Sequence, residues 1–90
     1  MQKITVIVRH DDFNDVEATM EAARVVNTPL IVKNIWGGVI ISIENHMAGK
    51  IKVVGQVEPK MTKNGHSVQL FKRAVCNAFY NHDWHVVAQI

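Results

Sequence analysis

Histidine is the reactive residue this chain carries in excess, five in ninety positions. Two stand three apart in His82-Asp83-Trp84-His85, and His10 leads directly into Asp11 and Asp12. Imidazoles and carboxylates together can hold zinc, but a site needs three or four ligands converging on one point. His82 and His85 supply two, and His46 or His10 would have to complete the set. There is one cysteine, Cys76, and no His-Glu-x-x-His run. No metal or other cofactor is therefore expected, and His82 is better explained as a cation at a helix C-terminus.

Other arrangements that could do chemistry fare no better. Cys76 falls in mid-helix beside an apolar stripe, where cysteine acts as a small hydrophobe rather than a thiolate. The acids after the first strand need no chemistry: helix capping and the positive end of the helix dipole account for Asp12 and Asp15, and Asp11 is a solvated acid. Trp36-Gly37-Gly38 has neither the following helix nor the lysine of a phosphate loop, and no Gly-x-Ser-x-Gly elbow occurs. The chain is expected not to be an enzyme, and no residue is assigned a catalytic role.

Basic residues raise a different possibility. Lys60, Lys63 and His66 in a loop, with Lys72, Arg73 and Tyr80 on the helix after it and Lys50 and Lys52 before it, could form a strip for a nucleic-acid phosphate backbone. A net charge of only +2 argues for weak binding. An open-sheet RNA binder would also place aromatic side chains on its middle strands, and isoleucine and valine stand there instead. Charge is unevenly spread. Residues 1–48 set Lys3, Arg9, Arg24 and Lys33 against six acids, whereas residues 49–90 set six lysines and arginines against Glu58 and Asp83.

Ninety residues suffice for one domain, and 48% hydrophobic with 20% charged residues is the composition of a folded one. No run approaches the roughly 18 apolar residues of a membrane helix, the N-terminus opens as a strand rather than a leader, and a lone cysteine suits a reducing compartment. A cytosolic chain without membrane contact is the expectation.

The elements that must position these residues follow from periodicity. Residues 3–9 alternate with β-branched side chains, and Ile4, Val6 and Val8 share one face. Asp12 is the expected N-cap of a helix over residues 13–26 that buries Phe13, Val16, Met20 and Ala23 and ends at Asn27-Thr28-Pro29. Residues 30–36 and 39–44 read as strands flanking a Gly37-Gly38 hairpin turn. Ala48-Gly49 marks another turn, and residues 51–57 a further strand in which Gly55 suggests a bulge. Residues 58–65 form an exposed loop, and Ser67 or Asn64 caps a helix reaching His82. Val68, Phe71, Val75, Ala78, Phe79 and His82 line one face of that helix, and Gln69, Lys72, Arg73, Asn77 and Tyr80 the other. Residues 84–90 return as a strand with Trp84, Val86, Ala88 and Ile90 on one side.

The order β-α-β-β-β-α-β predicts an α+β, ferredoxin-like two-layer sandwich, with both helices on one face of a mostly antiparallel sheet. The other face would carry Ile7, His85, Val87, Ile31 or Val32, Ile35, Ile40 or Ile41, and Val54. Such an apolar patch, on the order of several hundred Å², calls for cover. A homodimer through Ile7, Ile35, Val54 and Val87 is the expected answer. The helices would then meet another protein, with Gln69, Lys63, Lys72, Arg73 and Tyr80 as contact residues, since arginine and tyrosine are enriched at interface hot spots. The resulting expectation is a small non-catalytic regulator or inhibitor working by protein–protein contact, of a size bacteria and phages encode. Nucleic-acid binding is its rival.

Overall fold

Alternation in the first strand is strict enough to set the architecture. β1 (Gln2–Arg9) buries Ile4, Val6 and Val8 almost completely against the helices, and every other element is placed by what pairs with it or packs on it. The structure is a computed structural model that describes residues 2–27, 38–47, 49–57 and 66–90. Along the chain follow α1 (Asp15–Val26), β2 (Gly38–Asn45), β3 (Lys50–Val57), α2 (His66–Asn81) and β4 (His85–Gln89). The sheet has the order β2-β3-β1-β4, and all its pairings are antiparallel. β1 and β2 therefore run the same way with β3 between them, a split βαβ unit. One core cluster joins Ile4, Val6, Val8, Ile51, Val53 and Val57 of the sheet to Ala18, Ala22, Val25, Phe71, Val75 and Phe79 of the helices. Both helices thus lie on one face, and the fold is an α+β two-layer sandwich of ferredoxin-like type.

The expected hairpin over residues 30–44 is only partly represented. Its first strand and Gly37 lie outside the described residues. Gly38 is not a turn residue: it opens β2, paired with Val57 and buried. The second turn is as expected. Lys50 N–H donates to the Met47 carbonyl at 3.0 Å, and Gly49 has φ 75°, which glycine adopts without a Cβ penalty.

α1 packs differently from its expected stripe. Ala18, Ala22, Val25 and Val26 are the buried residues, spaced i, i+4, i+7 and i+8, whereas Val16 is 76% and Met20 60% exposed. Phe13 only partly packs on the core, from the turn that precedes the helix. The cap also shifts, from Asp12 to Asn14. The Asn14 side chain accepts the Glu17 N–H at 2.9 Å, which caps the helix, and its Nδ2 donates to Glu17 Oε1 at 3.1 Å, which holds the capping side chain in place. Because the helix starts two residues later than the apolar residue at Phe13 suggests, that residue no longer sets its phase.

α2 matches its expected face in Phe71, Val75, Ala78 and Phe79, which are buried, and Val68, half-buried against the core, but not in His82, which lies just past the helix end at Asn81 and is exposed. Cys76 also joins the core. The expected caps do not enter the description: Asn64 lies outside the described residues, as does the side chain of Ser67. At the other end, Trp84 N–H donates to the Phe79 carbonyl at 2.9 Å and Asp83 N–H to that of Tyr80 at 3.2 Å. This is a Schellman motif whose left-handed position, φ 65°, is held by Asp83 instead of glycine. Trp84 then packs edge-on against Phe79, ring centroids 5.3 Å apart, as the hydrophobic contact that accompanies such a cap.

Two bulges re-aim the outer strands. In β2 the register shifts between Ile40 and Ser42, so Ile40 and Ile43 pack on the core while Ile41 is displaced. In β4 Val86 pairs with Val8 and Ala88 with Ile7, which leaves Val87 as the extra residue. Ala88 and Ile90 therefore leave the face shared by Trp84 and Val86, contrary to the simple alternation. Gly55 is explained by neither bulge alone. A Cβ there would lie 2.5 Å from Phe71 Cζ and 2.7 Å from Cε1, so the glycine makes room for a ring of α2.

Candidate functional site

Three surfaces bear on function, and each can be built from register and exposure. The first is the solvent side of the helix layer. On α2, Gln69, Arg73, Asn77 and Tyr80 are exposed, as helical spacing requires once Phe71, Val75 and Phe79 face the sheet. Lys72 is half-buried and close enough to Cys76 to act on its thiol: burial pushes the Cys76 thiol up from its ordinary value, and the Lys72 ammonium only partly opposes this. A core thiol held in its protonated form is a poor nucleophile. On α1, Val16 and Met20 point out at i and i+4, with Glu17 exposed between them. Lys63 lies outside the described residues, as does Lys60, and His66 is described only as the first residue of α2.

The second surface is the helix-free face of the sheet. Pairing of Thr5 with Val54, Ile7 with Lys52 and Arg9 with Lys50 puts all six side chains there, together with Lys3 and Gln56. Ile7 and Val54 are on the expected face but not open to solvent, at 5% and 6% exposure, and they stand apart from the main core cluster. The expectation of an exposed apolar centre is corrected accordingly, since the chain already buries these two. Val87 is exposed at its bulge, Val39 and Ile41 are exposed on β2, and Ile35 lies outside the described residues. Lys50 and Lys52 do not extend the α2 strip, because β3 alternation sends them to the opposite side of the molecule. Lys52 Nζ lies 3.9 Å from Glu44 Oε1 across the β2–β3 ladder.

The third is the rim where β1 ends and β4 begins. His10 Nδ1 accepts the Asp12 N–H at 3.1 Å, so that nitrogen acts as acceptor. Its ring sits 4.5 Å from Phe13 and 5.3 Å from Trp84 between centroids. Asp11 bridges Arg9 Nε at 3.4 Å and His85 Nε2 at 3.3 Å. The structure thus brings His10 and His85 to one rim, and gives both a structural occupation: His10 closes the β1–α1 turn, and His85 meets Asp11 in an exposed surface contact of small energetic weight. Among the described residues no group of three or more His, Cys, Asp or Glu is placed to hold a metal. Cys76, the one cysteine of the chain, is buried in the core.

Sequence reasoning missed Val16 and Met20 as exposed residues. Their signal was present in Ala18, Ala22, Val25 and Val26, a complete helical stripe made of small side chains that carry little hydrophobic weight. No described helix is long and apolar enough to cross a membrane. Comparison with family models, with curated proteins and with solved structures finds no match to this chain.

Proposed function

We propose that this chain is a small non-catalytic regulator or inhibitor, working in the cytosol, that binds another protein through the solvent side of its helix layer. The observation that supports it is the pair Val16 and Met20, turned outward on α1 while alanines fill the contact with the sheet. Large apolar groups held in water on a helix are characteristic of a face that meets a partner. Arg73 and Tyr80 on α2 add the residue types that dominate interface energetics. The test is a pull-down with the immobilised chain, comparing the unaltered protein with a Lys72→Ala, Arg73→Ala, Tyr80→Ala triple variant and a Val16→Ser, Met20→Ser double variant. Loss of the same partner from both variants is expected; retention by both would refute the assignment of this surface.

A second reading, binding of a nucleic-acid phosphate backbone, is favoured by one observation: Lys3, Arg9, Lys50 and Lys52 share the helix-free face by register. Its test is affinity for a single-stranded oligonucleotide against salt concentration. A steep fall with salt supports phosphate contacts there, and no binding at low salt removes the reading.

A further inference from the structure

We infer that the outer surface of the helix layer is self-complementary, and that the free protein covers it with the same surface of a second copy. This rests on the reading that the helix layer is the contact surface, and it names what occupies that surface when no target is present. α1 carries Asp15, Glu17 and Glu21 against Arg24, a net −2, and α2 carries Lys72 and Arg73 with no acid, a net +2. The two helices touch on one face of the sheet, so elements of opposite net charge lie side by side in a single layer.

Closed two-fold pairing of such a layer with itself can be made in two ways. An axis across the helices lays α1 on α1 and α2 on α2, which sets like charges together. An axis along the helices lays α1 of one protomer on α2 of its partner, and symmetry repeats the contact. The second arrangement matches −2 with +2 twice and brings Val16 and Met20 against the surface that carries Tyr80, so apolar groups are removed from water on both sides. The centre of the helix-free face does not compete for this role, since Ile7 and Val54 are already buried within the chain. Any target must then displace the second copy, and dissociation of the pair becomes part of its regulation.

The experiment is sedimentation equilibrium of the full chain from micromolar to millimolar concentration at low and high salt. The same runs are made on Met20→Arg, on Arg73→Glu and on an equimolar mixture of the two. Both positions are exposed, so folding should survive, and far-ultraviolet circular dichroism checks that it does. A salt-sensitive dimer is expected for the unaltered chain. Each variant alone should associate at least about tenfold more weakly, because each sets like charges together in both helix contacts. The mixture should regain the dimer, since the arginine introduced on α1 of one chain then meets the glutamate introduced on α2 of the other. A monomer under every condition overturns the inference, as does a dimer untouched by either variant. A Met20→Arg chain that dimerises more tightly overturns the proposed axis, because an added cation would relieve acid set on acid. A monomer that still takes a target through Arg73 and Tyr80 removes the inference alone and leaves the proposed function standing.

Discussion

The two helices rest on the same sheet and solve the same problem with opposite materials. α2 buries two phenylalanines, Phe71 and Phe79, together with Val75, and the sheet yields to it: Gly55 lacks the Cβ that would strike the Phe71 ring. α1 buries alanines and valines and sends its methionine outward. An aromatic contact stabilises through area and shape, roughly 150–250 Å² for each ring. An alanine contact stabilises little by area and works by letting backbones approach. The first helix is therefore a lid whose outer face is free to carry other duties, whereas the second is the anchor of the core.

Variants can break or sharpen that contrast. Phe79→Ala should cost about 3–5 kcal/mol, since the fully buried ring supports both the core and the Trp84 cap. Urea denaturation measures it, and a loss below that of an ordinary leucine truncation would remove α2 as the anchor. Ala22→Leu should cost about 1–3 kcal/mol by overpacking the α1 contact, read as a drop in thermal midpoint. A neutral or stabilising result would mean that α1 has room for a larger residue and that its alanines are incidental.

Gly55→Ala should fall in the same range of about 1–3 kcal/mol, and Phe71→Leu in the same chain should recover part of the loss. Additive effects in that double-variant cycle would disprove the steric explanation of the glycine. Asp83→Gly should stabilise by about 0.5–1 kcal/mol, because glycine takes positive φ without strain. An unchanged midpoint would show that the aspartate side chain contributes something equal in return. Met20→Gln should stay within about 0.5 kcal/mol of the parent, as exposed positions do; a large loss would place the methionine in a packed contact.

The same contrast explains what could be read from the sequence. Helix α2 was legible because phenylalanine and valine at helical spacing outweigh every other phase. In α1 two stripes competed, Phe13, Val16 and Met20 against Ala18, Ala22, Val25 and Val26. Hydrophobicity favours the first, while packing against a sheet favoured the second. Phe13 misled because it belongs to the aromatic group around His10 and Trp84, outside the helix. Register was harder still, since neither bulge has a marker in composition: Ile41 and Val87 are ordinary β-branched residues. For the site, the exposed faces of α2 could be assigned from spacing. The separation of Lys50 and Lys52 from Lys72 and Arg73 could not, because it depends on which face each element turns inward.

Those two bulges bear on how the protein behaves at high concentration. A regular outer strand offers a row of unpaired N–H and C=O groups, a template on which any extended chain can polymerise. β2 and β4, the outermost strands of the described sheet, are each broken by an extra residue that interrupts the even spacing of those groups. Strand addition at either edge would have to match an irregular ladder. The sheet is thus guarded against fibril growth by geometry, without the prolines or clustered lysines on which edge strands often depend.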